Sequence, residues 1–335
     1  MTPRHLLRGA LLAAGLTLLP FAAPAQTQPA PLPDSIKAVR DLAYVEGGHV
    51  RQALDLYLPA NGDGPFPVIV WVHGGAWRTG DKRSCLPLRR GFVEQGYAVA
   101  SINYRLSQHA LFPAQLEDCK AAIRWLCAHA KEYRLDAGHI AAWGSSAGGH
   151  LVALLGTTGD VSDFDMGPNR GFSSRVQAVI DDYGPTDFAQ LEAVWKADPA
   201  RPPPDPKDAA APAALIGGPI NEPANAAKVQ RANPIAYVSP GDTPFLIEHG
   251  DHDPIVPVHQ SELLFAALRQ AGVPVRFTLV NGALHGPGIA GPDIEQARRD
   301  FLDLHLKGKQ TVAAQWPAAM RVSMPAVMPP PAAKK

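Results

Sequence analysis

Between residues 34 and 309 the chain alternates short apolar runs with stretches of helical periodicity, and this alternation narrows the fold more than any other feature. Residues 67–72, 97–103, 140–143, 176–181, 244–247 and 275–280 read as strands. The first is nearly continuous in apolar residues, as a strand covered on both faces must be. Residues 85–95, 114–133, 146–155, 260–270 and 293–306 read as helices. In 114–133, Leu116, Ala121, Ile123 and Leu126 recur at helical spacing behind Pro113. Repeated strand-then-helix order predicts a mostly parallel sheet with helices on both faces, an α/β class. Ahead of it, residues 41–45 and 50–58 flank Gly47-Gly48 as a hairpin. One segment breaks the rhythm. Residues 190–232 are rich in Pro and Ala and include Pro202-Pro203-Pro204, which predicts an inserted lid, binding loop or surface excursion with a stiff polar rim.

Composition excludes several classes. The chain has 335 residues, 46% of them hydrophobic, which is enough to build a core and rules out disorder as a whole. Lys+Arg and Asp+Glu are both 31, so binding of nucleic acid through surface charge is not expected. No apolar run reaches the roughly 18 residues of a membrane-spanning helix. Three cysteines are too few for a disulfide-dense scaffold or a four-thiolate zinc site, and no metal or organic cofactor is implied. Cys119 and Cys127 would lie about 12 Å apart along one helix and cannot bridge. If any pair forms it is Cys85–Cys119, leaving Cys127 free and buried.

The chemistry lies in the loops that follow strands. Gly144-Ser145-Ser146-Ala147-Gly148 matches G-x-S-x-G between the strand 140–143 and a helix-compatible run. A strand, a sharp turn and a helix are the setting of a nucleophile elbow, with small neighbours that let the Ser146 hydroxyl stand clear of the backbone. Ser145 lacks the right flanks. His73-Gly74-Gly75-Ala76-Trp77 follows the strand 67–72. Backbone N–H groups in such a loop can receive the negative charge that acyl transfer puts on a carbonyl oxygen. Gly75 and Ala76 are the expected donors, with Ala147 beside the nucleophile and Gly74 as the alternative. His73 is read as a brace for the loop and Trp77 as a wall beside the substrate. A serine nucleophile needs a base and an orienting carboxylate, in the chain order Ser, Asp, His. His285 follows the strand 275–280 and is the expected base. Asp253 and Asp251 both follow the strand 244–247, and Asp253 is preferred. Asp181, Asp182 and Asp187 come one strand early; His150, His249 and His252 are read as structural or rim residues.

These motifs carry a family resemblance over residues 41–306. They are Leu54-Asp55-Leu56-Tyr57-Leu58-Pro59, His73-Gly74-Gly75-Ala76-Trp77, Ser101-Ile102-Asn103-Tyr104-Arg105-Leu106, Trp143-Gly144-Ser145-Ser146-Ala147-Gly148-Gly149-His150, Tyr183-Gly184-Pro185-Thr186-Asp187, His249-Gly250-Asp251-His252-Asp253 and Ala283-Leu284-His285-Gly286. In this order they resemble secreted bacterial α/β-hydrolase esterases with feruloyl- and acetyl-xylan-esterase-like members, related to hormone-sensitive-lipase-like carboxylesterases. The resemblance implies an α/β-hydrolase fold, a Ser146–Asp253–His285 triad and small-molecule or carbohydrate ester substrates with short or aromatic acyl groups. The chain departs from the family in having His-Gly-Gly-Ala where a third glycine is usual. Arylformamidases share the H-G-G-x-W loop, so an amidase or peptidase is the alternative enzyme. A non-catalytic binding protein on the same scaffold is the alternative outside enzymes, and the complete Ser, Asp and His set argues against it.

Residues 1–25 read as a secretory signal peptide, 34–309 as the catalytic domain and 310–335 as a flexible Ala/Pro-rich tail, partly packed through Trp316. Arg4 and Arg8 precede a short apolar run ended by Pro20, and Ala23-Pro24-Ala25 is a small-x-small cleavage site. Gln26 follows, not a lipid-bearing cysteine, and the expected location is the periplasm or the medium. The exported protein should therefore begin at Gln26. Intact mass and N-terminal sequencing check this, and a mature form that keeps residues 1–25 would refute it.

Overall fold

The computed structural model describes residues 31–197, 205–309 and 319–323. The expected signal segment, the triple proline and Trp316 lie outside these. The described residues from Asp34 onward form a single compact unit. In chain order the elements are β1 Ile36–Ala43, β2 Ala53–Pro59, β3 Phe66–Val72, α1 Leu86–Arg89, β4 Ala98–Ile102, α2 Ala114–Ala128, α3 Ala130–Tyr133, β5 Leu135–Ser145, α4 Ala147–Thr157, β6 Ala178–Asp182, α5 Phe188–Ala197, α6 Pro206–Ala209, α7 Ala211–Ile216, α8 Ala226–Arg231, β7 Phe245–Gly250, α9 His259–Gln270, β8 Val275–Asn281, α10 Pro292–Lys307 and β9 Ala319–Ser323.

The sheet runs β1-β2-β4-β3-β5-β6-β7-β8-β9. The pairs β1/β2 and β2/β4 are antiparallel, and every later pair is parallel. This is the mostly parallel α/β sheet that the alternation predicts. From β3 the chain moves one way to β4 and then crosses back to β5 on the other side, so the loops leaving β3 and β5 diverge. A crevice opens at the carboxyl ends of strands wherever the order reverses in this way. His73 to Trp77 leave β3 there, and Ser146 leaves β5 there.

Apolar content sets the layers. β4, β6 and β7 are buried at every residue, and so is α4. Helix α4 packs on β5 and β6 beneath α2. No described helix is long and apolar enough to cross a membrane.

Several expectations are corrected. The helix predicted at 85–95 is a single turn, α1, because Gly91 and Gly96 take the left-handed region at φ 74° and 86°. Strand β5 begins at Leu135 rather than 140, with polar, partly exposed residues that carry no apolar signal. The described residues of the 190–232 segment are largely helical, and the Pro-rich stretch behind the expected stiff rim lies outside them. Asp205 caps α6 by accepting the Lys207 N–H, and Gly217 ends α7 in the left-handed region. Leu191, Leu215, Ile216 and Val229 from this segment join the main core. Within the expected tail, Ala319–Ser323 form β9, parallel to β8. The Cys85–Cys119 bridge does not form: all three cysteines are free, and Cys127 is half-buried rather than buried. Burial pushes the Cys85 thiol up to about 12, so it is inert as a nucleophile.

Candidate active site

The turn from β5 into α4 is too crowded for side chains on its flanks. A Cβ on Gly144 would overlap Gly148 O, and a Cβ on Gly148 would overlap Val72 O at the end of β3. Between them Ser146 adopts φ 56°, ψ −121°, a conformation L-residues rarely adopt. Its N–H donates to Asp182 O at the end of β6, 2.8 Å away, and its carbonyl accepts the His150 N–H. These bonds hold the strained turn and project the hydroxyl into a cavity of about 930 Å³.

His285 and Asp253 reach the same point from the loops after β8 and β7. His285 Nε2 lies 2.9 Å from Ser146 Oγ, and His285 Nδ1 lies 2.7 Å from Asp253 Oδ2. A carboxylate can only accept, so Nδ1 carries the proton and Nε2 offers its lone pair to the serine hydroxyl. Asp253 Oδ1 accepts the N–H of Ile255 and Val256 at 2.8 and 2.9 Å. Burial alone would raise this carboxyl, but hydrogen bonds from His249 and His285 outweigh it and hold Asp253 well below the usual carboxylate range. Asp251 stands elsewhere. It accepts the Gly282 N–H at 2.6 Å and pairs with exposed His252, so it ties down the start of the His285 loop.

The loop after β3 forms the facing wall. A Cβ on Gly74 would sit 2.7 Å from Ser145 O and 3.2 Å from Ser146 Cβ, so this residue packs directly on Ser146. Gly75, Ala76 and Trp77 all have positive φ, 114°, 53° and 55°. Among the described residues no acceptor meets the N–H of Gly75, Ala76 or Ala147, and all three residues line the cavity beside Ser146. His73 braces the loop. Its ring stacks on Tyr104, Nδ1 donates to Gly74 O at 2.7 Å, and Nε2 faces the Arg51 guanidinium at 3.1 Å. Burial lowers it to about 4, so it stays neutral in that tautomer.

Comparison with known proteins gives the family. The BD-FAE family model matches residues 54–268. The chain belongs to the BD-FAE family of α/β-hydrolase esterases. It is 34% identical over 235 residues to the "Probable carboxylic ester hydrolase LipM" of Mycobacterium tuberculosis, covering 69% of this chain and 51% of that protein. The chain thus spans about half the length of this relative. Among solved structures, the truncated form of a carbohydrate esterase from gut microbiota is 31% identical with a TM-score of 0.72, covering 83% of this chain and 99% of that one. The acetyl ester-xyloside bifunctional hydrolase of Caldicellulosiruptor lactoaceticus is 26% identical with a TM-score of 0.60, covering 76% and 86%. The BD-FAE match ends before His285, which its contacts with Ser146 Oγ and Asp253 Oδ2 join to the other two residues in space.

Trp77 touches the cavity but is only 3% exposed, with its ring edge-on to His150 and Phe188. Trp77 thus lines the cavity while most of its ring packs in the core. The aromatic residues bordering the opening are Tyr183 and Trp195. Tyr183, at φ 48°, sets its ring 4.7 Å from that of His285. Trp195 is fixed by its indole N–H on Ile255 O. Tyr183 stands in a motif quoted above without a role. Trp195 could have been sought as the one Trp of the inserted segment.

Asp181 lies buried behind the β5–α4 turn, outside the cavity lining. It is fully buried at the end of β6 beneath Gly149 of α4, accepts the Gly184 N–H, and has no partner on Oδ2 among the described residues. Burial raises it to about 7 from an ordinary 3.8. The folded protein therefore keeps a proton that the unfolded chain has already released, and stability drains as pH rises through that window. Asp181→Asn should leave stability nearly unchanged at pH 4 and raise it by a few kcal/mol at pH 8. Urea unfolding at both pH values checks this, and a gain of equal size at the two would refute it.

Proposed function

We propose that this chain is an exported serine carboxylesterase that cleaves short-acyl or aromatic-acyl esters of hydroxyl-rich alcohols through an acyl-enzyme. The observation that carries the reading is the continuous hydrogen-bonded series Ser146 Oγ, His285, Asp253 at the mouth of the cavity. In this reading His285 Nε2 takes the Ser146 proton as Oγ bonds to the ester carbonyl carbon. The carbonyl oxygen becomes an oxyanion held by the N–H groups of Gly75, Ala76 and Ala147. The intermediate collapses, the alkoxy bond breaks, and His285 returns its proton to the departing alcohol. Water then adds to the acyl carbon by the same route, releasing the acid and restoring the serine. Asp253 keeps the imidazole in the tautomer that can do this and stabilises it when charged.

The substrate class rests on the cavity and the relatives. Leu191, Trp195 and Tyr183 make a rigid apolar side, while Arg78, Gln108, Lys207 and Asp208 supply polar groups. Flat aromatic faces with polar neighbours suit a sugar or phenolic ring better than a long fatty chain. The carbohydrate esterase and acetyl ester-xyloside hydrolase among the relatives point the same way. Export is supported by the Arg-flanked apolar run and small-residue site at the start of the chain.

Ser146→Ala and His285→Ala should each lower kcat on the scale of about 10⁶-fold, the cost of removing such a residue where groups act as a unit. Asp253→Asn should cost less than Ser146→Ala but far more than Asp251→Asn. Turnover of p-nitrophenyl acetate with fluorophosphonate labelling measures both, and a crippling Asp251→Asn would reverse the carboxylate assignment. For specificity, a chain-length series of p-nitrophenyl esters is assayed beside acetylated xylan and methyl ferulate. Short chains should be fastest, with acetate or ferulate released. An optimum at ten or more acyl carbons without either product would overturn the substrate class and leave the triad standing.

A further inference from the structure

Asp253 carries a second imidazole on the oxygen that faces His285. His249, near the end of β7, is fully buried, and its Nε2 lies 3.2 Å from Asp253 Oδ2. The same nitrogen is 3.0 Å from Val256 O, and Nδ1 is 2.7 Å from Ser261 Oγ on α9. Carbonyl and carboxylate oxygens only accept, so Nε2 must hold the proton and share it between them. Nδ1 is then an acceptor, and the buried Ser261 hydroxyl donates to it. The tautomer of His249 is fixed from both sides. Two backbone N–H groups meet Asp253 Oδ1, and two imidazole N–H groups meet Oδ2.

We propose that His249 is a positioning residue for the esterase reaction, acting through Asp253, with Ser261 fixing its tautomer. This rests on the triad reading above. Two backbone N–H groups already hold Oδ1, and the second donor on Oδ2 fixes the direction of the remaining lone pair toward His285. The second donor also withdraws part of the charge that His285 would otherwise feel. Without it, Asp253 would favour the protonated imidazole more strongly, and His285 would become available as a base only at higher pH. Among the described residues, the titratable groups facing this cluster include Asp253, His285 and Tyr183, whose ring lies 6.4 Å from that of His249 and which Asp182 and Arg298 face in turn.

The test uses the full-length protein and p-nitrophenyl acetate. His249→Leu removes the donor at similar bulk. It should lower kcat about ten-fold or more, the scale of a small misplacement of a catalytic group, with KM within two-fold. The acid limb of its kcat/KM profile should move up by about half a pH unit. His249→Gln places an amide N–H near the Nε2 position and should recover most of kcat with the limb near its original place. Ser261→Ala should shift both readouts in the same direction but less. Leu and Gln variants equally slow with an unmoved limb would make His249 mere packing and overturn the proposal, as would a His249→Leu enzyme of native kcat and limb. If His249→Leu does not fold, Ser261→Ala decides, and an unchanged limb and kcat there count against the proposal. Ser146→Ala separates the two levels. If it stays active, the triad reading and this proposal fall together; if it is dead while His249→Leu is unaffected, only the proposal falls.

Discussion

The structure turns on one strained residue. Ser146 sits at a positive φ that costs on the order of 1–3 kcal/mol, and its turn must be over-determined by its surroundings. The constraints come from two directions. From beside the turn, Asp182 O accepts the Ser146 N–H. From below, Gly144 and Gly148 allow α4 to press against the ends of β5 and β3 with no side chain between. That close approach also seats Gly74 on Ser146, so the β5–α4 turn and the loop after β3 are positioned by a single packing event. The fully buried α4 offsets the strain, since each apolar side chain it buries contributes roughly 1.5–3 kcal/mol.

Behind this turn lies a buried charge cluster that sets geometry more than stability. Arg298 of α10 meets Glu248 at 2.6 Å and Asp182 at 3.5 Å, and its guanidinium lies over the Trp143 ring. The Trp143 indole N–H donates to the second Asp182 oxygen. Desolvation of such groups consumes most of their mutual attraction, so the cluster adds little net stability. Its effect is positional. The backbone carbonyl of Asp182 holds Ser146, and that of Glu248 holds the Tyr183 N–H. Removing Arg298 would leave buried carboxylates unpaired, which is costly by about 3–5 kcal/mol, and would loosen both attachments.

What could be read from the sequence was whatever has a local cause. The central strands announce themselves because a strand covered on both faces must be apolar throughout, and Ser146 and His285 follow from the tight loops after such strands. The missed features have long-range causes. β9 reads Ala-Met-Arg-Val-Ser, with too few apolar residues to signal a strand, and exists because β8 offers it an edge. α7 has six residues, too few for a period to show, and its Leu215 and Ile216 become core only by meeting residues far away in sequence. The choice of Asp253 over Asp251 was open on spacing alone, and His249 had no visible role, because both depend on which oxygen points where.

The burial of Trp77 follows from the same economy of strain. Four of the seven non-glycine residues with positive φ among the described residues, Ala76, Trp77, Ser146 and Tyr183, surround the cavity. Ala76 and Trp77 together cost about 2–4 kcal/mol in the left-handed region. Burying a large aromatic removes 150–250 Å² from water, worth roughly 4–6 kcal/mol. Packed against His150 and Phe188, the Trp77 ring can therefore hold the loop in its strained form. A ring turned outward as a substrate wall would give up that anchor, and the N–H groups of Gly75 and Ala76 would lose the backbone conformation that presents them. Tyr183 and Trp195 also line the cavity. Of these, Trp195 carries no backbone strain and is fixed by one hydrogen bond to Ile255 O, so it can border the cavity at little structural cost.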